Sequence, residues 1–132
     1  MGKYFSIDEL CASAAARKHG IANIPPEEAV TKMELLIERL LDPIREGWGK
    51  AITVNSGYRS PELNRIVGGV ARSQHLRGEA ADLTTGSRDE NRKLFRHILE
   101  SGLEFDQLIN ECNYAWIHVS YGTPNRRQII GA

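Results

Sequence analysis

The sequence predicts an α+β fold, a single domain in which a small antiparallel sheet is flanked by helices. Apolar residues recur at helical spacing in the first third of the chain, whereas later short runs alternate as strands do. Serine caps and glycine turns separate these segments. With 132 residues the chain can bury one core but not two, so we expect one domain over residues 1–132.

The first predicted helix follows a capping box at residues 6–9, in which the serine accepts a backbone hydrogen bond. It runs from Leu10 to about Lys18, and Gly20 ends it in a left-handed conformation. A second helix opens at residues 25–28, where proline loses no hydrogen bond and two glutamates meet the positive helix end. Its apolar residues form a core-facing stripe: Val30, Met33, Leu36, Ile37, Leu40 and Leu41.

Two further helices and the strands complete the predicted domain. Pro61 starts a short helix that the glycine pair at 68–69 ends, and Ser87 caps a helix with Leu94, Ile98 and Leu99 turned inward. Strands are predicted at residues 51–55, around Ala80–Leu83, and at 105–109 and 116–121.

Charge and hydropathy exclude several classes of partner. The 17 Lys+Arg residues balance 17 Asp+Glu residues, so nothing favours nucleic acid or an anionic membrane. The N-terminus lacks the apolar core of a signal peptide, and no apolar run approaches the roughly 20 residues of a membrane span. We expect a monomer that is cytoplasmic as synthesised.

Neither the cysteines nor two of the four histidines are assigned to a site. Cys11 and Cys112 lie far apart with no neighbouring thiol, which argues against a disulfide framework or a thiolate zinc site. We interpret both as ordinary buried or half-buried residues. His19 and His97 are expected to face solvent on helices.

Three other side chains outline a metal site. His75 and Asp82 flank a glycine-containing turn that leads into a predicted strand. The best candidate for a third ligand is His118, because alternation places it on one strand face with Trp116 and Ser120. Zinc accepts neutral imidazole and carboxylate, and catalytic sites use three protein ligands.

Four motifs follow one another along the chain: SGYRSPELN at 56–64, VGG at 67–69, SQHLRGEAADL at 73–83 and WIHVSY at 116–121. In this order they resemble the M15 family of zinc peptidases, the D-alanyl-D-alanine carboxypeptidase group. The likeness extends over almost the whole chain. It implies the fold shared with the hedgehog signalling domain, and the activity of cell-wall peptidases of bacteria and phages.

The resemblance also implies roles for individual residues. His75, Asp82 and His118 are the expected Zn²⁺ ligands, and Arg59 is expected over the substrate carbonyl. Zinc held by such ligands lowers the pKa of bound water to roughly 7. A guanidinium such as that of Arg59 is suited to stabilise the oxyanion of the tetrahedral intermediate, because it is always charged and carries a planar fork of donors. The small side chain of Ala80 leaves room for the metal.

The general base departs from the family pattern. Many M15 enzymes carry Asp or Glu three residues before the last histidine ligand, where this chain has Ala115. Glu111, across a short connection from His118, is the nearest carboxylate, whereas Glu104 and Asp106 are more distant in sequence. We therefore predict Glu111 as the catalytic acid/base; the alternative is a solvent-exposed turn residue, and geometry must decide.

Four residues are candidates for substrate binding or for supporting the ligands: Ser73, Tyr58, Trp116 and Ser120. Ser73 either caps the turn or orients His75 or Asp82 by a hydrogen bond. Trp116 belongs either to the core or to the wall of a substrate groove.

These observations predict a zinc peptidase that hydrolyses an amide bond in peptidoglycan peptides, as a carboxypeptidase or an endopeptidase. Without a signal peptide it would reach the cell wall by lysis or by a separate export route. The alternative is a catalytically silent, zinc-containing module that binds cell-wall peptide or a protein. The position of the general base discriminates between the two.

Overall fold

A computed structural model describes residues 3–132; the first two residues of the N-terminal stretch discussed above lie outside it. The helices are α1 (Ile7–Cys11), α2 (Ala14–Lys18), α3 (Glu27–Leu36), α4 (Asp42–Trp48), α5 (Pro61–Ile66) and α6 (Arg88–Glu100). A π-helical turn spans Ile37–Leu41 and a 3₁₀ turn spans Gln74–Arg77. The strands are β1 (Thr53–Ser56), β2 (Ala80–Thr84), β3 (Gln107–Glu111), β4 (Trp116–Ser120) and β5 (Gln128–Ile130).

The five strands form one sheet in the order β1-β2-β4-β3-β5. The first four pair antiparallel, which confirms the predicted α+β class. The edge strand β5 pairs parallel with β3 and was not predicted. Its three residues are all exposed, so they carry no alternation of burial from which a strand could be recognised.

The core lies between one face of the sheet and the helices. The α3 stripe is confirmed, with Met33, Leu36, Leu40 and Leu41 fully buried and Val30 half-buried. The sheet contributes Ala81, Leu83, Leu108, Ile117 and Val119, each at most 1% exposed. Since strand side chains alternate, the intervening residues of β2 and β4 project from the opposite face. That face carries Asp82 and His118.

Two helical segments differ from the prediction. The first predicted helix is split into α1 and α2, because the side chain of Ser13 accepts a hydrogen bond from Ala16 N and starts a new helix. After α3 the chain widens into the π-helical turn, in which Asp42 N bonds the Ile37 carbonyl. Pro43 lacks the N–H that a continuous α-helix would need at this point, which explains the wider turn. No described helix combines the length and apolar character that crossing a membrane requires.

Gly57 lies where the turn after β1 crosses α1. Tyr58 N donates to the Leu10 carbonyl at 2.9 Å, and a Cβ at position 57 would lie 2.3 Å from the same carbonyl oxygen. We expect Gly57→Ala to lower the free energy of unfolding by about 1–3 kcal/mol, because backbone on both sides must move apart. Urea unfolding measures the change.

Gly122→Ala is the matched control, since a Cβ there meets no atom closer than 3.6 Å. We expect a change within about 0.5 kcal/mol for this variant. Equal unfolding midpoints for native protein and Gly57→Ala would contradict the close approach.

Candidate metal centre

Three elements bring the predicted ligands together. His75 lies in the 3₁₀ turn, Asp82 at the centre of β2, and His118 at the centre of β4. Asp82 and His118 are direct cross-strand partners, so their side chains leave the sheet on the same face. One ligand atom from each residue lies within 4.8 Å of the others. The structure therefore assembles the three-residue cluster that the sequence predicts.

The His75 ring is fixed by the turn around it. Its Nδ1 lies 2.7 Å from the Gly57 carbonyl oxygen, which can only accept, so Nδ1 carries the proton. Nε2 is then unprotonated and lies 3.4 Å from Asp82 Oδ1. The 3₁₀ turn itself is capped by Ser73, whose Oγ accepts from His75 N at 3.1 Å. This arrangement presents a free imidazole nitrogen to the cluster.

The His118 ring is oriented by a network that the sequence analysis missed. Its Nδ1 lies 3.0 Å from Asp82 Oδ1, and its Nε2 lies 3.4 Å from Gln74 Oε1. Gln74 Nε2 donates to Asp106 Oδ2 at 2.7 Å, which turns the amide oxygen toward the imidazole. His118 thus presents Nδ1 as its ligand nitrogen. The histidine motif includes Gln74, but no sequence pattern connects it to Asp106.

Electrostatics keep Asp82 in the form that binds a metal. Burial alone would raise the pKa of Asp82, but the imidazole rings of His118 and His75 beside its carboxylate hold that pKa well below its ordinary value. The carboxylate is therefore ionised at neutral pH. Asp106 is ionised as well, since its hydrogen bond with Arg126 outweighs burial and lowers its pKa to about 2.

The donor set fits zinc in its chemistry, and the two separations measured from Asp82 lie within about 0.3 Å of those in a tetrahedral zinc site. Zinc bonds to nitrogen and oxygen of roughly 2.0–2.2 Å in a tetrahedron imply donor atoms about 3.3–3.6 Å apart. The observed separations from Asp82 Oδ1 are 3.4 Å to His75 Nε2 and 3.0 Å to His118 Nδ1. Two neutral imidazoles and one carboxylate leave a fourth position for water or substrate. The cluster can therefore hold a catalytic rather than a closed structural metal site.

Arg59 lies beside this cluster, in the turn after β1. Its backbone N donates to the His75 carbonyl at 3.0 Å, and its Nη2 donates to Ser73 Oγ at 3.4 Å. Arg59 and Asp82 line a common cavity of about 240 Å³. Burial lowers the pKa of Arg59, whereas the nearby Asp82 charge raises it. The buried Nε has no protein partner among residues 3–132, so this group has spare donor capacity.

The remaining candidates take different positions. Ser73 is 7% exposed and caps the 3₁₀ turn by accepting from His75 N, whereas its orientation of a metal ligand stays a prediction. Tyr58 is only 4% exposed and belongs to the core. Ser120 is fully buried and its Oγ accepts from Gln107 N, whereas Trp116 is half-buried at the start of β4. Substrate-binding roles for the last three stay predictions.

Glu111 ends β3 opposite Trp116 in the antiparallel register. Ile109, two residues earlier, faces His118, so Glu111 projects from the same face of the sheet as the metal ligands. Of the other carboxylates weighed from sequence, Asp106 is bound by Arg126 and Glu104 is exposed before β3. Glu111 is thus the acid that the topology brings to the ligand-bearing face.

Two minor predictions are wrong. His97 does not face solvent freely; it is half-buried, and its ring centroid lies 5.7 Å from that of Trp48. Cys112 is exposed rather than buried, because it lies in the positive-φ turn between β3 and β4. His19 is exposed as predicted, and Cys11 is half-buried.

The cluster predicts one zinc ion per chain. We expect the double variant His75→Ala, His118→Ala to lose stoichiometric zinc, because a single carboxylate remains. Elemental analysis after dialysis measures the metal content. His19→Ala is the matched control, since its exposed ring lies outside the cluster. Stoichiometric zinc in the double variant would contradict the ligand assignment.

Comparison with known proteins agrees with this geometry. The family model described as Peptidase M15 matches residues 3–120. Over 49 residues, 36% of this chain, the sequence is 49% identical to a zinc D-Ala-D-Ala carboxypeptidase of Streptomyces albus G. That alignment spans only 19% of the relative's length. The family match covers most of the sequence and confirms the resemblance drawn from the motifs, so the chain belongs to the peptidase M15 family.

Proposed function

We propose that this protein is a zinc-dependent peptidase that hydrolyses an amide bond in peptidoglycan peptides. The observation that carries the proposal is the convergence of His75, Asp82 and His118, with both imidazoles in metal-binding tautomers, next to Arg59. Membership of the M15 family supports a peptidase, and the name of the Streptomyces relative supports both the metal and the substrate class.

The protein's own groups divide the work around the metal. When bound, zinc supplies a Lewis acid and a hydroxide nucleophile at neutral pH. Gly57 and Gln74 hold the two imidazoles in the required tautomers by accepting from the ring nitrogens that face away from the cluster. Asp82 contributes one negative charge, which leaves the loaded site with a net charge of about +1.

Arg59 is the proposed stabiliser of the transition state. As the substrate amide becomes tetrahedral, negative charge develops on the former carbonyl oxygen, and a fixed cationic donor lowers the energy of that state. The backbone bond from Arg59 N to the His75 carbonyl fixes the residue beside the ligand turn, and the bond from Nη2 to Ser73 Oγ orients its guanidinium before substrate arrives. A donor that is already oriented pays little reorganisation energy during the reaction.

Glu111 is the proposed acid/base. Diagonal neighbours in an antiparallel pair lie about 7–8 Å apart, a distance that a long side chain spans. Glu111 and His118 have this relation, since Glu111 faces Trp116 and His118 is two residues further along β4. Its carboxylate would take a proton from the attacking water and return it to the leaving amine. This role replaces the carboxylate that is missing at Ala115.

The test of the function is hydrolysis of peptidoglycan fragments followed by mass spectrometry, with native protein and Glu111→Gln compared at equal zinc content. Glutamine keeps the shape of glutamate but cannot take the proton, so we expect turnover to fall by roughly 10²- to 10⁴-fold. Glu104→Gln, an exposed glutamate preceding the same strand, is the control and should retain turnover.

Each outcome separates the candidate functions. Hydrolysis by the native protein and its loss in Glu111→Gln support the peptidase and its acid/base together. Hydrolysis that persists in the variant would show that a residue other than Glu111 is the acid/base. Binding of the fragments without any cleavage by the zinc-loaded native protein would instead establish the catalytically silent binding module.

Replacement of Arg59 by lysine distinguishes two roles for this side chain. Lysine keeps the charge but loses the planar fork of donors, so loss of an oxyanion contact should lower kcat on the order of 10²- to 10³-fold. If Arg59 instead binds a terminal carboxylate, KM should rise while kcat is preserved. Steady-state kinetics on free and C-terminally amidated peptides measures both constants. Unchanged constants on both peptides would remove Arg59 from the reaction.

A further inference from the structure

A second cationic cavity reaches the metal ligands on the side of His118. This groove, of about 320 Å³, includes Val70, Arg72, Arg77, Ile109, His118 and Arg126 among its lining residues. It is distinct from the cavity that Arg59 shares with Asp82. Three guanidinium groups line it, and no carboxylate does so among the described residues. A chain without net charge therefore gathers positive charge beside its candidate active site.

Arg126 is held in place as a donor. Its Nε and Nη2 bind the two oxygens of Asp106 at 2.8 and 2.9 Å, a bidentate pair that fixes the guanidinium plane. Asp106 is only 4% exposed, whereas the Arg126 side chain is 55% exposed. A ligand that enters the groove therefore contacts the Arg126 guanidinium and not the Asp106 carboxylate. Nη1 makes no hydrogen bond within residues 3–132, which leaves a donor for a ligand.

The other two arginines retain positive charge. Arg77 donates to Glu79 at 2.7 Å, but Lys32 binds the same carboxylate at 3.2 Å. The single negative charge of Glu79 therefore balances only one of these two positive charges. Glu79 is 7% exposed and lies beneath them. Within residues 3–132, Arg72 takes part in no ion pair. The groove therefore has an excess of donors that can bind an anion.

The apolar part of the groove indicates what carries that anion. Val70 is 71% exposed, and Ile109 lies beside His118 in the sheet. A peptide whose scissile amide lies at the ligands would place a neighbouring residue here, with apolar atoms on Val70 and Ile109 and a charged group toward the arginines. Guanidinium forks bind carboxylates and phosphates, and of these two the carboxylate is the group that an unmodified peptide carries.

We propose that this groove is a specificity subsite that binds a second carboxylate of the substrate, on a residue next to the cleaved bond, and that Arg72 and Arg126 recognise it. The inference rests on the proposed peptidase function and narrows its substrate class to acidic peptides. Arg126 lies outside the residues 3–120 that match the family, so this contact is a feature of the present chain's C-terminal segment.

The test uses two peptides that differ in one group, a free carboxylate or a carboxamide on the residue next to the cleaved bond. We expect zinc-loaded native protein to prefer the carboxylate by about ten-fold or more in kcat/KM, mainly through KM, as one charge-assisted hydrogen bond would give. Titration calorimetry with the corresponding cleavage-product peptides should show the same preference in Kd without turnover.

Two variants keep the test independent of folding. Arg72→Gln removes a cation that has no ion pair within residues 3–132, and Arg126→Lys keeps a charge for the buried Asp106 while losing the planar fork of donors. Both should lower the preference for carboxylate several-fold. Arg96→Gln, on the exposed side of α6 and paired with Glu100, should preserve it.

The outcomes separate this inference from the proposed function. Cleavage and binding of both peptides with equal constants would overturn the subsite and leave the peptidase intact. Preferential binding of the carboxylate without any cleavage would support the subsite and overturn the peptidase. An unchanged preference in both Arg72→Gln and Arg126→Lys would assign the recognition to other residues and overturn the proposal.

Discussion

The pairing of β2 with β4 is the constraint on which the candidate active site depends. Ala81 and Leu83 of one strand and Ile117 and Val119 of the other are almost completely buried against the helices. A slip of one residue would turn these side chains to the opposite face and expose the core. Burial of apolar surface therefore locks the register that places Asp82 beside His118. The metal ligands meet as a consequence of packing on the other side of the sheet.

A second set of contacts joins the turn after β1 to the 3₁₀ turn. His75 donates from Nδ1 to the Gly57 carbonyl, and Arg59 donates from its backbone to the His75 carbonyl. These reciprocal bonds fix the ligand and the cation relative to each other. The close passage of Gly57 over α1 holds the whole unit on the core. Stability and site geometry are thus supported by the same few residues.

Charge acts locally in this protein. With 17 cationic and 17 anionic side chains, the chain carries no net charge. Yet Asp106 and Glu79 are buried beneath Arg126 and Arg77, so the cations face the groove and the anions do not. Composition alone cannot show this separation, because it depends on which member of each ion pair is covered.

The sequence by itself determined the elements that obey local rules. Serine caps, glycine terminators and the apolar stripe of α3 predicted helices, and alternation assigned Asp82 and His118 to the correct strand faces. The ordered motifs indicated the family and the ligand types. Only the tertiary structure decided the parallel edge strand β5 and the chain of contacts from His118 through Gln74 to Asp106. Those features join residues distant in sequence or depend on hydrogen bonds that no residue pattern encodes, so they exist only once the chain is packed.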